Sequence, residues 1–183
     1  MTRWLVIAFL LLTCSVQAAP PVAEGPLHVT AQEARKHGLP PLGFRLDTRG
    51  SNMLAATFPD PSCYLRMSGP PGGPLVFEVL PASGDLDATL KARFSQAGYS
   101  PVETGPASSV KFAGQPRKTR GLVTGQSHAR TRWCCIWLEP RGDRPAAVVL
   151  LGVAAGSGEA DSGTDLVAHR FLAPLVASFE LDP

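Results

Sequence analysis

Basic side chains are concentrated in one short stretch of this sequence. Five of them fall within 16 residues that contain no aspartate or glutamate: Arg117, Lys118, Arg120, Arg130 and Arg132. If residues 115–124 and 129–138 form a β-hairpin, His128, Arg130 and Arg132 share one face, because side chains alternate along a strand. Lys118 and Arg120 can point the same way. Crowded like charges destabilise such a ribbon unless anions offset them. We therefore expect an anionic partner: an acidic protein surface, peptidoglycan or lipid head groups.

A second interpretation of the same stretch needs no partner. The arginines then lie on a solvated sheet face and pair with acids supplied by the fold itself. The acids available nearby in the sequence are Glu139, Asp143, Glu159, Asp161 and Asp165.

Two tryptophans help to orient this hairpin. Trp133 and Trp137 are four residues apart, so on one strand they share a face with Cys135. We expect that face to be core, which leaves Arg130 and Arg132 on the exposed side. If it is open instead, the two indoles would offer a binding surface for a sugar or a protein.

A nucleophile motif is only partly present. The run Gly-Gln-Ser-His-Ala at 125–129 resembles the Gly-x-Ser-x-Gly elbow, but Ala129 replaces the last glycine. The run also lies between two predicted strands, whereas the elbow requires a strand-to-helix turn. We expect no catalytic residue here, and a hydrolase using Ser127 and His128 is the alternative.

The cysteines predict one disulfide if the chain is exported to an oxidising compartment. After removal of an N-terminal leader that contains Cys14, the chain keeps Cys63, Cys134 and Cys135. Adjacent strand residues face opposite ways, so we expect a disulfide between Cys63 and either Cys134 or Cys135. One thiol is then left over, which opens a third possibility, a thiol or metal-binding envelope protein. No Cys-x-x-Cys or His-x-x-x-His spacing is present, so we expect neither a metal nor another cofactor.

The first residues resemble a secretory signal peptide. Arg3 supplies a positive start, residues 4–12 are nine consecutive apolar residues, and small residues stand before a cleavage site after Ala18. Nine residues cannot cross a bilayer, which needs about 20. We expect a periplasmic or secreted protein that is not transmembrane after processing. Lipidation at Cys14 is the alternative, although Thr13 is unfavourable immediately before a lipidated cysteine.

Composition indicates a folded domain with little charge. Of 183 residues, 44% are hydrophobic and 17% are charged, and loss of Arg3 leaves 16 basic against 15 acidic residues. A net charge of +1 provides no bulk attraction for nucleic acid, which we exclude as a partner. We expect residues 19–27 to be a flexible leader and 28–183 to form a single α+β domain.

The elements that must position these side chains follow from periodicity and turn residues. A first helix begins at the capping box formed by Thr30 and Glu33 and ends at Gly38. Two further helices are predicted over 85–97 and 164–179, the latter kinked or divided at Pro174. Short links between strands predict a mostly antiparallel sheet with helices packed on it. The predicted strands are 43–48, 53–58, 63–67, 75–80, 110–123 with a break near 114–116, 129–138 and 146–155.

The last hundred residues resemble the C-terminal half of PsbP/DcrB-like exported α/β/α sandwich domains. The resemblance rests on an amphipathic helix, the run Val-Lys-Phe-Ala-Gly-Gln-Pro at 110–116, the strands near 132–138 and 148–154, and a helix ending in Ala-Ser-Phe-Glu-Leu at 177–181. The N-terminal half departs from the pattern. The resemblance implies a binding or assembly module without a shared catalytic set. We therefore expect a non-enzymatic binding or accessory protein. An immunity protein or an inhibitor is an example of this class.

Overall fold

Two antiparallel sheets organise the chain. The computed structural model describes residues 24–70, 75–96, 103–125, 130–155 and 161–183. The strands within these ranges are β1 (Pro26–Val29), β2 (Phe44–Asp47), β3 (Ala55–Thr57), β4 (Leu65–Ser68), β5 (Leu75–Pro81), β6 (Glu103–Phe112), β7 (Gln115–Thr124), β8 (Thr131–Leu138), β9 (Ala147–Ala154) and β10 (Glu180–Leu181). The helices are α1 (Ala31–Lys36), α2 (Leu86–Gln96) and α3 (Ala173–Ser178), with a 3₁₀ helix at Thr164–Ala168.

The larger sheet has seven strands in the order β3-β4-β5-β9-β8-β7-β6, and every neighbouring pair is antiparallel. β1, β2 and β10 form a separate three-stranded antiparallel sheet. The predicted α+β class with mostly antiparallel strands is confirmed.

Both faces of the central strands are buried. β9 reads Ala-Val-Val-Leu-Leu-Gly-Val-Ala, and seven of its eight residues are buried. Such continuous apolar runs are typical of strands that are covered on two sides. On one side α2 packs through Leu90 and Phe94 against a cluster that includes Leu122 and Trp133.

The small sheet, α1 and α3 cover the other side. Phe179, which follows α3, has its ring centroid 5.1 Å from that of Phe44 on β2 and 4.8 Å from that of Phe112 on β6. The ring centroid of Phe77 on β5 lies 6.3 Å from that of Phe179. These four rings join the two sheets, so burial of aromatic surface holds the C-terminus against the large sheet.

Local sequence signals fix several element ends. Both capping-box bonds are present in α1: the Glu33 amide donates to the Thr30 hydroxyl, and the Thr30 amide donates to the Glu33 carboxylate. After the helix Gly38 adopts a φ of +76°, a conformation that glycine takes without steric cost. The predicted beginning and end of the first helix are confirmed.

Two predicted elements differ from the structure. The strand expected from residue 110 is a hairpin of two ten-residue strands, β6 and β7, and β6 begins seven residues earlier at Glu103. The first part of β6 was not predicted because it contains Gly105 and Pro106, neither of which favours a strand. The pairing register of β6 with β7 shifts at these residues, between Thr104 and Ala107. The helix expected over 164–179 is instead the 3₁₀ helix followed by α3, with Pro174 in the first turn of α3. Proline lacks the amide needed in a helix interior but fits a first turn.

The N-terminal boundary also differs. β1 begins at Pro26 and pairs with β2, so Pro26 and Leu27 are strand residues within the segment expected to be a leader. The predicted signal peptide over 1–18 lies outside the described residues. No helix in the described ranges has the length and hydropathy to cross a membrane.

Candidate anion-binding site

The predicted basic surface is largely neutralised by the fold. Four of its five lysine and arginine residues make ion pairs: Lys118 with Glu139 at 3.5 Å, Arg120 with Asp87 at 3.2 Å, Arg130 with Glu103 at 2.9 Å, and Arg132 with Asp161 at 2.9 Å and also with Asp165. The interpretation in which acids of the fold offset the charge therefore describes these four residues. His128 lies outside the described residues.

Arg132 shows why the basic side chains do not form one open face. Trp133 is buried on the α2 side, as expected. The opposite side of β8 is not exposed, because the segment around Asp161 and Gly163 packs over it. A Cβ atom added to Gly163 would stand 2.5 Å from the Trp133 carbonyl oxygen. The expected exposed face is therefore covered at β8, and the side chains of Arg130 and Arg132 are only 20% and 27% exposed.

Arg117 has a different environment from the other four. Together with Arg141 and Arg144 it lines a cavity of about 470 Å³ beside the C-terminal strand β10. Glu180 on β10 also lines this cavity. Its carboxylate lies 3.5 Å from Arg45 on β2, and its side chain is 68% exposed. Among the described residues, no ion pair joins an acidic side chain to Arg117, Arg141 or Arg144.

Two tight turns bring the three arginines together. Ala113 and Gly114, which connect β6 to β7, have φ values of +49° and +74°. Positive φ at both central positions is the pattern of a type I′ hairpin turn, and it places Arg117 close behind the turn. Alanine is strained in this conformation by about 1–2 kcal/mol. Strain of this kind clusters at functional sites, and here it lies on the wall of the cavity.

The second turn contributes the other two arginines. Arg141 and Arg144 exchange two backbone hydrogen bonds of 3.1 Å around Gly142, whose φ is +58°. Residues paired in this way project their side chains on the same side of the ribbon. A directly opposed pair of like charges is destabilising, so this arrangement costs stability unless an anion offsets it.

The electrostatics of the cluster reflect this crowding. Burial lowers the pKa of the Arg144 guanidinium, and the charges of Arg117 and Arg141 lower it further. The Nε atoms of Arg117 and Arg144 are buried without a hydrogen-bond acceptor in the described structure. A buried donor without an acceptor loses the hydration it had in the unfolded chain. The cluster therefore presents charge that the fold has partly desolvated and left uncompensated.

Sequence reasoning missed two of these three residues. Arg141 and Arg144 lie beyond the acid-free stretch, and Asp143 between them makes the local charge look balanced. The available signal was Gly142-Asp143, a pair typical of two-residue hairpin turns. Recognising that turn would have set Arg141 opposite Arg144.

A second cavity of about 280 Å³ lies between α2 and the β6–β7 hairpin. Lys118, Arg120 and Trp137 line it together with Asp85 and Asp87. Positive and negative side chains are mixed here, and the Arg120–Asp87 pair lies within it. This cavity has no net preference for an anion.

The predicted disulfide is absent, and the topology explains why. Cys63, Cys134 and Cys135 are buried free thiols. Cys63 lies two residues before β4, whereas the other two lie on β8, and β5 and β9 run between these strands. Three interstrand steps give a separation of roughly 14 Å. A disulfide requires Cα atoms within about 7 Å.

Burial also makes these thiols unsuitable for chemistry. It raises the pKa of Cys63 to about 11 and that of Cys134 to about 12, and it raises the pKa of Cys135 well above its usual range. Thiolates are the reactive form, so these groups are poor nucleophiles near neutral pH. No cluster of three or more histidine, cysteine or acidic side chains in the described ranges could hold a metal ion.

The partial nucleophile motif at 125–129 is described only at Gly125. Ser127 and His128 lie outside the described residues. Comparison with known proteins gives no assignment for the chain: no protein-family model matches it, and no curated protein matches it in sequence.

Proposed function

We propose that this chain is a non-enzymatic binding or accessory protein of the periplasm or the extracellular space. It acts by holding an anionic group of another protein or of the cell envelope. The observation that carries this proposal is the cluster of Arg117, Arg141 and Arg144, which line one cavity and form no ion pair with an acidic side chain of the described residues. An immunity or inhibitor protein that caps a partner's active site is one concrete form.

Charge placement supports the arginine cluster over the rest of the basic stretch. Lys118, Arg120, Arg130 and Arg132 already have carboxylate partners, and a ligand would have to break those ion pairs to use them. The three cluster arginines line a cavity and have no ion-pair partner within the described ranges, although Glu180 lines the same cavity. An incoming anion would therefore gain Coulomb energy there without displacing an acid.

The two alternatives have less support. The hydrolase depends on Ser127 and His128, for which no contact is described. The thiol or metal protein needs an accessible thiolate, but all three cysteines are buried and the pKa of each is raised.

Membership in the PsbP/DcrB-like sandwich class is part of the same proposal. This part of the proposal rests on the order α2, β6, β7, β8, β9 and then α3, with α2 and α3 against opposite faces of the sheet. One feature of the resemblance differs, because α3 ends at Ser178 and Glu180–Leu181 form β10 instead of the end of a helix. Export through an N-terminal leader cleaved after Ala18 belongs to it as well.

The proposal can be tested with the chain from residue 19 to 183. The wild-type protein and the charge-reversal variant Arg141→Glu/Arg144→Glu are incubated with isolated peptidoglycan sacculi, anionic lipid vesicles and an envelope protein extract. We expect the wild type to bind at least one of these in a salt-sensitive way and the variant to lose that binding.

The matched control is Arg35→Glu/Lys91→Glu, which changes the net charge equally at two exposed helix positions. It should bind like the wild type, and so should Ser127→Ala. Equal loss of binding in both charge-reversal variants, or no binding by the wild type, would contradict the proposal. A hydrolytic activity that disappears in Ser127→Ala would favour the hydrolase.

A further inference from the structure

The arginine cluster has a defined charge and shape. Three arginines line one cavity, and the acidic residue in its described lining, Glu180, lies 3.5 Å from Arg45. Arg144 lies close enough to both Arg117 and Arg141 for their charges to act on it. A ligand for this site must therefore carry more than one negative charge to balance the cluster.

We propose that Arg117, Arg141 and Arg144 form a recognition site for one phosphomonoester group. This inference rests on the proposed function and specifies the ligand class of the same site. Guanidinium forks bind carboxylates and phosphates by paired hydrogen bonds. A carboxylate has one charge and two oxygens, which one or two forks saturate. A phosphomonoester approaches two charges at neutral pH and has three terminal oxygens, one for each arginine.

The cavity leaves room for what carries the phosphoryl group. Its volume of about 470 Å³ lies within the range of pockets that hold small organic ligands. Ala113, Gly114 and Ala177 form small-side-chain parts of its wall, where a sugar or glycerol moiety can approach the backbone. The phosphomonoester can belong to a lipid head group or to a small soluble molecule, and the chemistry at the arginines is the same for both.

The first test compares anions by their effect on thermal unfolding. The chain from 19 to 183 is heated with inorganic phosphate, glycerol 3-phosphate, dimethyl phosphate or acetate at matched ionic strength. A ligand that binds only the folded state raises the Tm with concentration. We expect saturable stabilisation by phosphate and glycerol 3-phosphate and little by the monoanions. Equal changes in Tm with all four anions would overturn the proposal, because they would indicate non-specific screening of the protein's charges.

Variants then assign the effect to the cluster. Arg141→Gln and Arg144→Gln should each weaken glycerol 3-phosphate binding by about tenfold or more, measured by calorimetric titration. Arg144→Lys keeps the charge but loses the fork, and we expect it to weaken binding as well. Arg35→Gln, at an exposed position, should leave binding unchanged. If the cluster variants bind like the wild type, the site is elsewhere and the inference fails.

Folding of each variant is checked by its far-UV circular dichroism and its own Tm before titration. If an arginine variant fails to fold, Arg141→Lys at the most exposed of the three positions serves in its place. The wild-type comparison of anions does not depend on any variant.

Vesicles distinguish the two sources of the phosphomonoester. Phosphatidic acid presents that group on a membrane, whereas phosphatidylglycerol presents a phosphodiester. Binding to phosphatidic acid vesicles that exceeds phosphatidylglycerol at equal surface charge indicates a lipid source. Binding of glycerol 3-phosphate without that preference indicates a soluble source.

The outcome also separates this inference from the proposed function. Capture of an envelope partner that depends on Arg141 and Arg144, without any preference for phosphomonoesters, would overturn the ligand class and keep the binding function. Tight glycerol 3-phosphate binding without capture of any partner would keep the ligand class and overturn the proposed binding of an envelope partner.

Discussion

The indole ring of Trp133 on β8 lies flat against Gly152, its cross-strand neighbour on β9. A Cβ atom at position 152 would stand 2.6 Å from Cζ3 and 2.8 Å from Cε3 of that ring. The indole Nε1 donates a 2.8 Å hydrogen bond to the Thr124 hydroxyl, and the ring meets Phe94 of α2 edge-on at 5.4 Å. The absence of a side chain at Gly152 thus leaves the space in which the indole ring contacts both Thr124 and Phe94.

Gly152→Ala should destabilise the protein by about 1–3 kcal/mol, the usual range for overpacking a buried site. Urea unfolding measures the change. The control is the same substitution in a Trp133→Leu background, where the ring is gone and the added methyl should cost less. Equal costs in both backgrounds would show that the ring is not what excludes the methyl.

Glu78 joins α2 to the large sheet through a buried charge. Its side chain is 4% exposed, and its carboxylate meets Arg66 at 2.6 Å and Arg93 of α2 at 3.0 Å. Glu78→Ala leaves two partly buried arginines unpaired, so we expect a loss of about 3 kcal/mol in the free energy of unfolding. Chemical denaturation checks this value.

Glu139→Ala is the matched control for that experiment. Its carboxylate pairs with Lys118 at 3.5 Å, but both side chains are more than half exposed. Exposed pairs contribute little, so the change should stay under about 1 kcal/mol. A Glu78 effect as small as that of Glu139 would refute the role given to the buried pair.

Thiol counting tests the correction to the cysteine chemistry. When the chain from 19 to 183 is denatured without a reductant, three thiols should react with a thiol reagent, because all three cysteines are free. In the native state the reaction should be slow, since the thiols are buried. One thiol in the denatured chain would instead indicate the disulfide expected from sequence.

Stability should fall in alkali because buried thiols resist ionisation. The pKa of a thiol is near 9 in the unfolded chain, whereas burial raises the pKa of Cys63 to about 11 and of Cys134 to about 12. The native state therefore holds protons that the unfolded state releases, and raising the pH favours unfolding. The stabilisation is complete below pH 9 and is lost progressively as the pH rises through 11 and 12.

The measurement is the free energy of unfolding between pH 8 and pH 10.5, at constant ionic strength. Cys63→Ala should reduce the slope above pH 9, because one of the titrating groups is removed. Burial also raises the pKa of Tyr64, so part of the slope above pH 10 should remain in this variant. An identical slope in Cys63→Ala and wild type would contradict the assignment.

Local signals explain which elements were predictable. The capping box of Thr30 and Glu33, the apolar run of β9 and the α2 helix each depend on residues close together in the chain, and all three are present. The failures involve competition between local preferences. Glycine and proline obscured the start of β6, and the first part of the helix that was expected to be kinked or divided at Pro174 is a 3₁₀ helix.

The α+β class, the antiparallel preference and the core position of Trp133 were predictable, because they follow from periodicity and short connections. Strand order was decided only in three dimensions. It inserted β5 and β9 between Cys63 and β8, covered the second face of β8, and brought Arg117 to Arg141 and Arg144. Ion pairs and disulfides form only between side chains that lie within a few ångströms of each other. When the partners are far apart in the chain, the packing of the sheets decides whether they meet.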